Sequence, residues 1–109
     1  LVVVDPADYP IALAVLKGEQ SPEQAMATRK RLAWKAFQHC ASYDSQVAEW
    51  LWGAGGAGEK GAFPPEMSVP MTLMNTLRYG ENSHQQAAVY SDGSLAELAG
   101  TGVAAATLR

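Results

Sequence analysis

Ten consecutive residues, Leu77-Arg78-Tyr79-Gly80-Glu81-Asn82-Ser83-His84-Gln85-Gln86, gather a guanidinium, a phenol, a carboxylate, an imidazole and three side-chain amides. A guanidinium presents a planar fork that matches phosphate or carboxylate, so Arg78 is a candidate anion anchor, and the Tyr79 hydroxyl beside it could share a phosphate monoester. His84 could move a proton near neutral pH or orient a polar substrate. Gly80 and Asn82 admit tight backbone, so the segment is expected to be a loop that aims side chains. The same residues also fit a plainer arrangement, with Arg78 paired to Glu81 and His84 hydrogen-bonded in an ordered turn. No mechanism makes a motif of this composition diagnostic, and the pattern alone leaves both open.

Other chemistry-bearing residues are weaker candidates. Arg29-Lys30-Arg31 with Lys35 is the one basic cluster, and a solvated helix face is expected of it, with Arg29 or Lys35 pairing with carboxylates. His39 and Cys40 are neighbours on that helix and point about 100° apart, which does not suit one metal ion, so no metal site is expected. Trp34, Trp50 and Trp52 follow helical spacing and are expected to pack. Asp44 near an apolar face needs a partner, for which Arg29 or a backbone N–H of a segment outside this chain is a candidate.

The elements that must position these groups are marked by local signals. The run Leu1-Val2-Val3-Val4 before Asp5-Pro6 predicts a strand buried on both faces, as in a parallel sheet. A short helix is expected around Ile11 to Leu16, ended by Gly18. Ser21-Pro22-Glu23 is a strong helix start, with a capping serine, proline at the first helical position and negative charge in the first turn. From there Leu32, Ala36, Cys40, Tyr43, Val47 and Trp50 recur at helical steps as a stripe expected to be buried. Arg31, Lys35, Gln38, Ser42, Ser45 and Glu49 form the opposite, solvated face. The helix should reach about Trp52, with an irregularity near Ser42. The glycine-rich run from Gly53 to Gly61, closed by Pro64-Pro65, predicts a flexible linker. Beyond it, Met67 to Leu77, interrupted by Pro70, predicts an edge strand or an extended arm, and Ala87 to Tyr90 before Ser91-Asp92-Gly93 predicts a second short strand ending in a turn.

Whole-chain properties narrow the function classes. The 109 residues are 48% hydrophobic and 17% charged, which is the composition of a folding chain. Eight basic against 11 acidic residues, a net charge of -3, argue against a nucleic-acid binder that works by counterion release. A single cysteine forms no internal disulfide, and no signal peptide or membrane-spanning run is present, so a soluble, cytoplasmic location is expected. Both ends read as cut, which predicts a piece of a longer protein.

The segment from Arg78 to Ala88, preceded by Leu77 and followed by Tyr90, closely resembles the junction of a bifunctional purine biosynthesis family, phosphoribosylaminoimidazolecarboxamide formyltransferase (AICAR transformylase)/IMP cyclohydrolase. Two further segments resemble the same family in order and spacing: Thr28-Arg29, Leu32-Ala33, Lys35-Ala36-Phe37, His39, Ala41 and Tyr43-Asp44 on the helix, and Val2-Val3-Val4-Asp5-Pro6 followed by Asp8-Tyr9. Together they cover most of residues 1–90. Ser83 departs from a proline common in the motif, and Cys40 from a frequent threonine.

The resemblance implies an α/β fold class. In it, residues 1–52 form the C-terminal end of a methylglyoxal-synthase-like cyclohydrolase domain, mainly helical here. Residues 53–65 form a linker, and residues 66–109 the start of a cytidine-deaminase-like formyltransferase domain. It implies a homodimeric enzyme that moves a formyl group from 10-formyltetrahydrofolate, its cosubstrate, to AICAR and then closes the ring to IMP. It implies that Arg78 and Tyr79 contact the substrate phosphate and that His84 supports the transfer. The family's Lys-His pair and its cyclohydrolase residues are absent, so the fragment alone is expected to be inactive. A different reading is a noncatalytic α-helical interaction module, whose stripe from Leu32 to Trp50 docks on a partner. Neither nucleic acid nor membrane is an expected partner.

Overall fold

The computed structural model describes residues 1–78 and 86–93. In order they form a 3-10 turn, Pro6–Asp8, then helices α1, Tyr9–Leu16, and α2, Pro22–Trp52, and strands β1, Thr72–Arg78, and β2, Gln86–Ser91. The chain divides into two compact units, Leu1–Met67 and Ser68–Arg109. Among the described residues no helix is long and apolar enough to cross a membrane.

In the first unit the valine run does not form the expected strand. Residues 1–4 have no partner strand among the described residues, and Leu1, Val2 and Val4 remain exposed. A lone extended segment leaves its backbone groups to water and gains nothing from a ladder. Asp5 ends it, its carboxylate accepting from the Ala7 N–H at 2.9 Å to cap the 3-10 turn.

Helix α1 stops where expected, by a Schellman motif. The Gly18 N–H donates to the Val15 carbonyl at 3.2 Å and the Glu19 N–H to that of Ala14 at 3.0 Å. Gly18 takes φ +72°, which an L side chain rarely adopts.

Helix α2 opens on a reciprocal capping box. The Gln24 N–H donates to Ser21 Oγ at 3.2 Å, and the Ser21 N–H to Gln24 Oε1 at 3.0 Å. Pro22 occupies the first turn, and Glu23 is held below its ordinary value by its own backbone N–H and by the Ser21 hydroxyl. The helix then runs unbroken for 31 residues, about 46 Å, with no irregularity at Ser42.

The core of this unit is small: Ala12 and Val15 from α1 pack on α2, where Leu32 is 1% exposed. The expected stripe is therefore buried only at its first member. Cys40 is exposed, and Tyr43 and Trp50 are 64% and 60% exposed, because an eight-residue α1 covers only the beginning of a helix nearly four times its length. On the other face Lys35 is half-buried rather than solvated.

The second unit is an antiparallel pair, β1 with β2. Its register runs Arg78↔Gln86, Leu77↔Ala87, Thr76↔Ala88 and Asn75↔Val89, then shifts, so that Leu73 faces Tyr90 and Thr72 faces Ser91. Met74 is the extra residue, a β-bulge that sequence periodicity did not announce. Pro70 lies before the strand, as a residue without an N–H to give to a ladder should. Past β2, Gly93 takes φ +68° and its N–H donates to Ser91 Oγ at 3.0 Å.

Candidate functional site

The polar decapeptide is not wholly a loop. Leu77 and Arg78 close β1 and Gln86 opens β2, so its two ends are held by ladder pairs. Arg78 is the last residue of β1, registered with Gln86, and the side-by-side strands fix the spacing of the chain on either side of residues 79–85. Tyr79 and His84, like Glu81, lie outside the described residues. Arg78 is thus placed by its backbone at the end of a registered strand, and the neighbours proposed for it are not among the residues described.

A second polar cluster lies in the first unit. Lys35 Nζ donates to Asp5 Oδ2 at 2.9 Å and to Asp8 Oδ2, while Arg31 Nη2 lies 3.7 Å from Asp8 Oδ1. The Asp8 side chain is only 9% exposed. Hydrogen bonds to Asp8 and then to Asp5 raise the Lys35 pKa above its ordinary value. Lys35 and the Ala7 N–H lower that of Asp5. A lysine held protonated between two carboxylates is neither a base nor a nucleophile at neutral pH, so this cluster ties the N-terminal turn to α2. In the sequence, Lys35 stood out only as part of a basic cluster that could pair with carboxylates; nothing along the chain singled out Asp5 and Asp8, 30 and 27 residues earlier, as its partners. A shallow groove of about 450 Å³ beside it is lined by Val4, Pro6, Trp34, Gln38, His39 and Ser42.

The remaining candidates do not assemble. Arg29 and Asp44 are both exposed on the same helix, and 15 residues separate them by about 22 Å, so Arg29 is not the partner of Asp44. Trp34 and Trp50 are exposed, against the packing role expected of them, while Trp52 is half-buried. Among the described residues no group of three or more His, Cys, Asp or Glu is disposed to hold a metal ion.

A long capped helix followed by a small antiparallel sheet makes this a mixed helix-and-sheet protein, consistent with the α/β class. Within that class, the family model described as AICARFT/IMPCHase bienzyme matches residues 1–107, and the chain belongs to that family. It is 48% identical over 89 residues to the bifunctional purine biosynthesis protein PurH of Persephonella marina, covering 82% of this chain and 16% of the relative. It is 47% identical over 91 residues to the protein of the same name from Myxococcus xanthus, covering 84% and 16%. With that of Acidithiobacillus ferrooxidans it shares 43% over 98 residues, covering 90% and 19%. The chain therefore spans less than a fifth of the length of these curated relatives. No solved structure matches it.

Proposed function

We propose that this chain is a segment of a bifunctional enzyme of IMP synthesis, which formylates AICAR with 10-formyltetrahydrofolate and then closes the ring with loss of water. The observation that carries this reading is the bienzyme family match over residues 1–107, supported by relatives named as bifunctional purine biosynthesis proteins. In this reading residues 1–52 end a methylglyoxal-synthase-like cyclohydrolase domain. Residues 53–65 connect, and residues 66–109 begin a cytidine-deaminase-like formyltransferase domain. The parent enzyme is cytoplasmic and homodimeric.

Arg78 and Tyr79 grip the AICAR phosphate, and His84 supports the transfer. The reacting amine is a poor nucleophile, and a dianionic phosphate held far from it converts binding energy into orientation at the reacting end. In the transfer the amine nitrogen bonds to the formyl carbon, the bond from that carbon to the folate nitrogen breaks, and the proton lost by the amine is matched by one gained by the folate. No residue of this chain is assigned to the folate. The end of a registered strand suits the anchoring role, because ladder pairing holds the Arg78 backbone while the substrate binds.

The test is Arg78→Ala in the intact bienzyme. A charge-assisted hydrogen bond to phosphate is worth about 1.5–3 kcal/mol, so AICAR affinity should fall on the order of 10- to 100-fold, with the folate KM unchanged. Unchanged AICAR affinity and turnover would remove Arg78 from the site.

A further inference from the structure

The glycine-rich run after α2 is built as a cap. A helix leaves its last four carbonyls without internal partners. Here all four are taken: the Gly53 N–H donates to Glu49 at 3.1 Å, Gly55 to Trp50 at 2.7 Å, Ala57 to Leu51 at 2.9 Å and Gly58 to Trp52 at 3.0 Å. The Trp52 indole N–H then reaches across the returning chain to the Ala62 carbonyl at 2.9 Å, and the Ala62 N–H closes a turn on Glu59 at 3.0 Å. Two glycines are required by close approach. A Cβ on Gly55 would lie 2.6 Å from Leu51 Cα, and one on Gly58 would lie 2.4 Å from Cε2 of the Trp52 ring. Neither a backbone carbon nor a ring held by its own N–H can give way cheaply.

We propose that residues 53–62 are a strap latched by the Trp52 indole, which makes the glycine run a stiff continuation of α2 and leaves the connection toward β1 to begin at Phe63. The proposal stands independently of the catalytic reading. Closed, the strap withholds ten residues of chain that would otherwise reach up to about 36 Å. Released, the same residues are a tether, and the latch that separates the two states is one indole hydrogen bond with the ring face on which Gly58 lies. Glycines are used because the chain must pass against a helix backbone and an aromatic face, and the freedom usually associated with them is absent while the latch holds.

Digestion of the intact protein that carries this segment with a glutamate-specific protease, with the two cleavages read out as separate fragments, tests this, because Glu59 lies inside the strap and Glu66 beyond it. Of the two, the wild-type chain should be cut after Glu66 first. In Trp52→Phe, which keeps a ring but loses the N–H, and in Gly58→Ala, which keeps the N–H but collides with the ring, cleavage after Glu59 should rise on the order of tenfold with cleavage after Glu66 unchanged. Ala54→Ser is the control and should leave both rates alone. Amide exchange on the wild-type chain gives an answer that requires no variant to fold: protected Gly55, Ala57 and Gly58 amides support the strap. Exchange there at free-peptide rates, or equal cleavage at the two glutamates in the wild-type chain, would overturn it.

Discussion

Lys35 shows how much one side chain can hold when its neighbours carry the opposite charge. Its ammonium bridges Asp5 and Asp8, and Asp8 sits largely out of water. The pH dependence follows from the two directions of shift. Asp5 has a folded pKa below its ordinary 3.8, so its contribution is complete above that value and is lost as pH falls through the lower folded value. Lys35 is raised above 10.5, so its contribution is complete below 10.5 and is lost as pH rises through the folded value. Between these limits thermal stability should be flat with respect to this cluster. Lys35→Met should lower the melting temperature at neutral pH, because Asp8 then loses its hydrogen-bonded lysine and keeps only Arg31 at 3.7 Å, and should flatten the alkaline limb. Melts of both chains across the pH range check this, and superimposable curves would show that the bridge contributes nothing. At this scale the sequence marks Arg78 as an anion-binding candidate from its type and neighbours, and the structure fixes its backbone at the end of β1. The role of Lys35 was only half legible, since a periodic pattern names the helix face but not what lies against it.

At the scale of elements, the ends of helices are the most local decisions in the chain. The Ser21–Gln24 box satisfies two donors at once, so Ser21→Ala should cost about 1 kcal/mol, and Gln24→Ala somewhat less, in urea unfolding. Gly18→Ala forces a Cβ into φ +72° with no clash to blame, so its expected cost of about 1 kcal/mol is purely conformational. If Gly18→Ala were neutral, the left-handed conformation at the end of α1 would have to be wrong. Both stops and the start were readable because each depends on residues within one turn. The bulge at Met74 was not, because it exists only in the comparison of two strands, and neither strand's own alternation encodes an extra residue opposite its partner.

At the scale of the molecule, the sparse core of the first unit and the exposed half of the α2 stripe match a chain that spans a fifth or less of the relatives it matches. The isolated 109-residue chain should show neither formyl transfer nor IMP formation, since it spans a fifth or less of the length of these relatives that carry the bifunctional name. Substantial turnover of AICAR with 10-formyltetrahydrofolate by the purified chain would defeat the proposal that it is an incomplete part of the enzyme.

The sequence by itself determined the start of α2 at Ser21-Pro22 and its extent to about Trp52, the stop of α1 at Gly18, extended structure on both sides of residues 79–85 and the family to which the chain belongs. Each rests on residue types within a few positions of one another, or on their linear order. Tertiary structure alone decided that Lys35 turns inward to carboxylates 27 and 30 residues earlier, and that Trp52 pins Ala62 ten residues later and so turns a glycine run into a cap. It also decided that the valine run finds no partner strand among the described residues. The physical reason is the same in each case: a hydrogen bond, an ion pair or a ladder needs a second group at contact distance, and the spacing of residues along a chain does not specify which distant group that is.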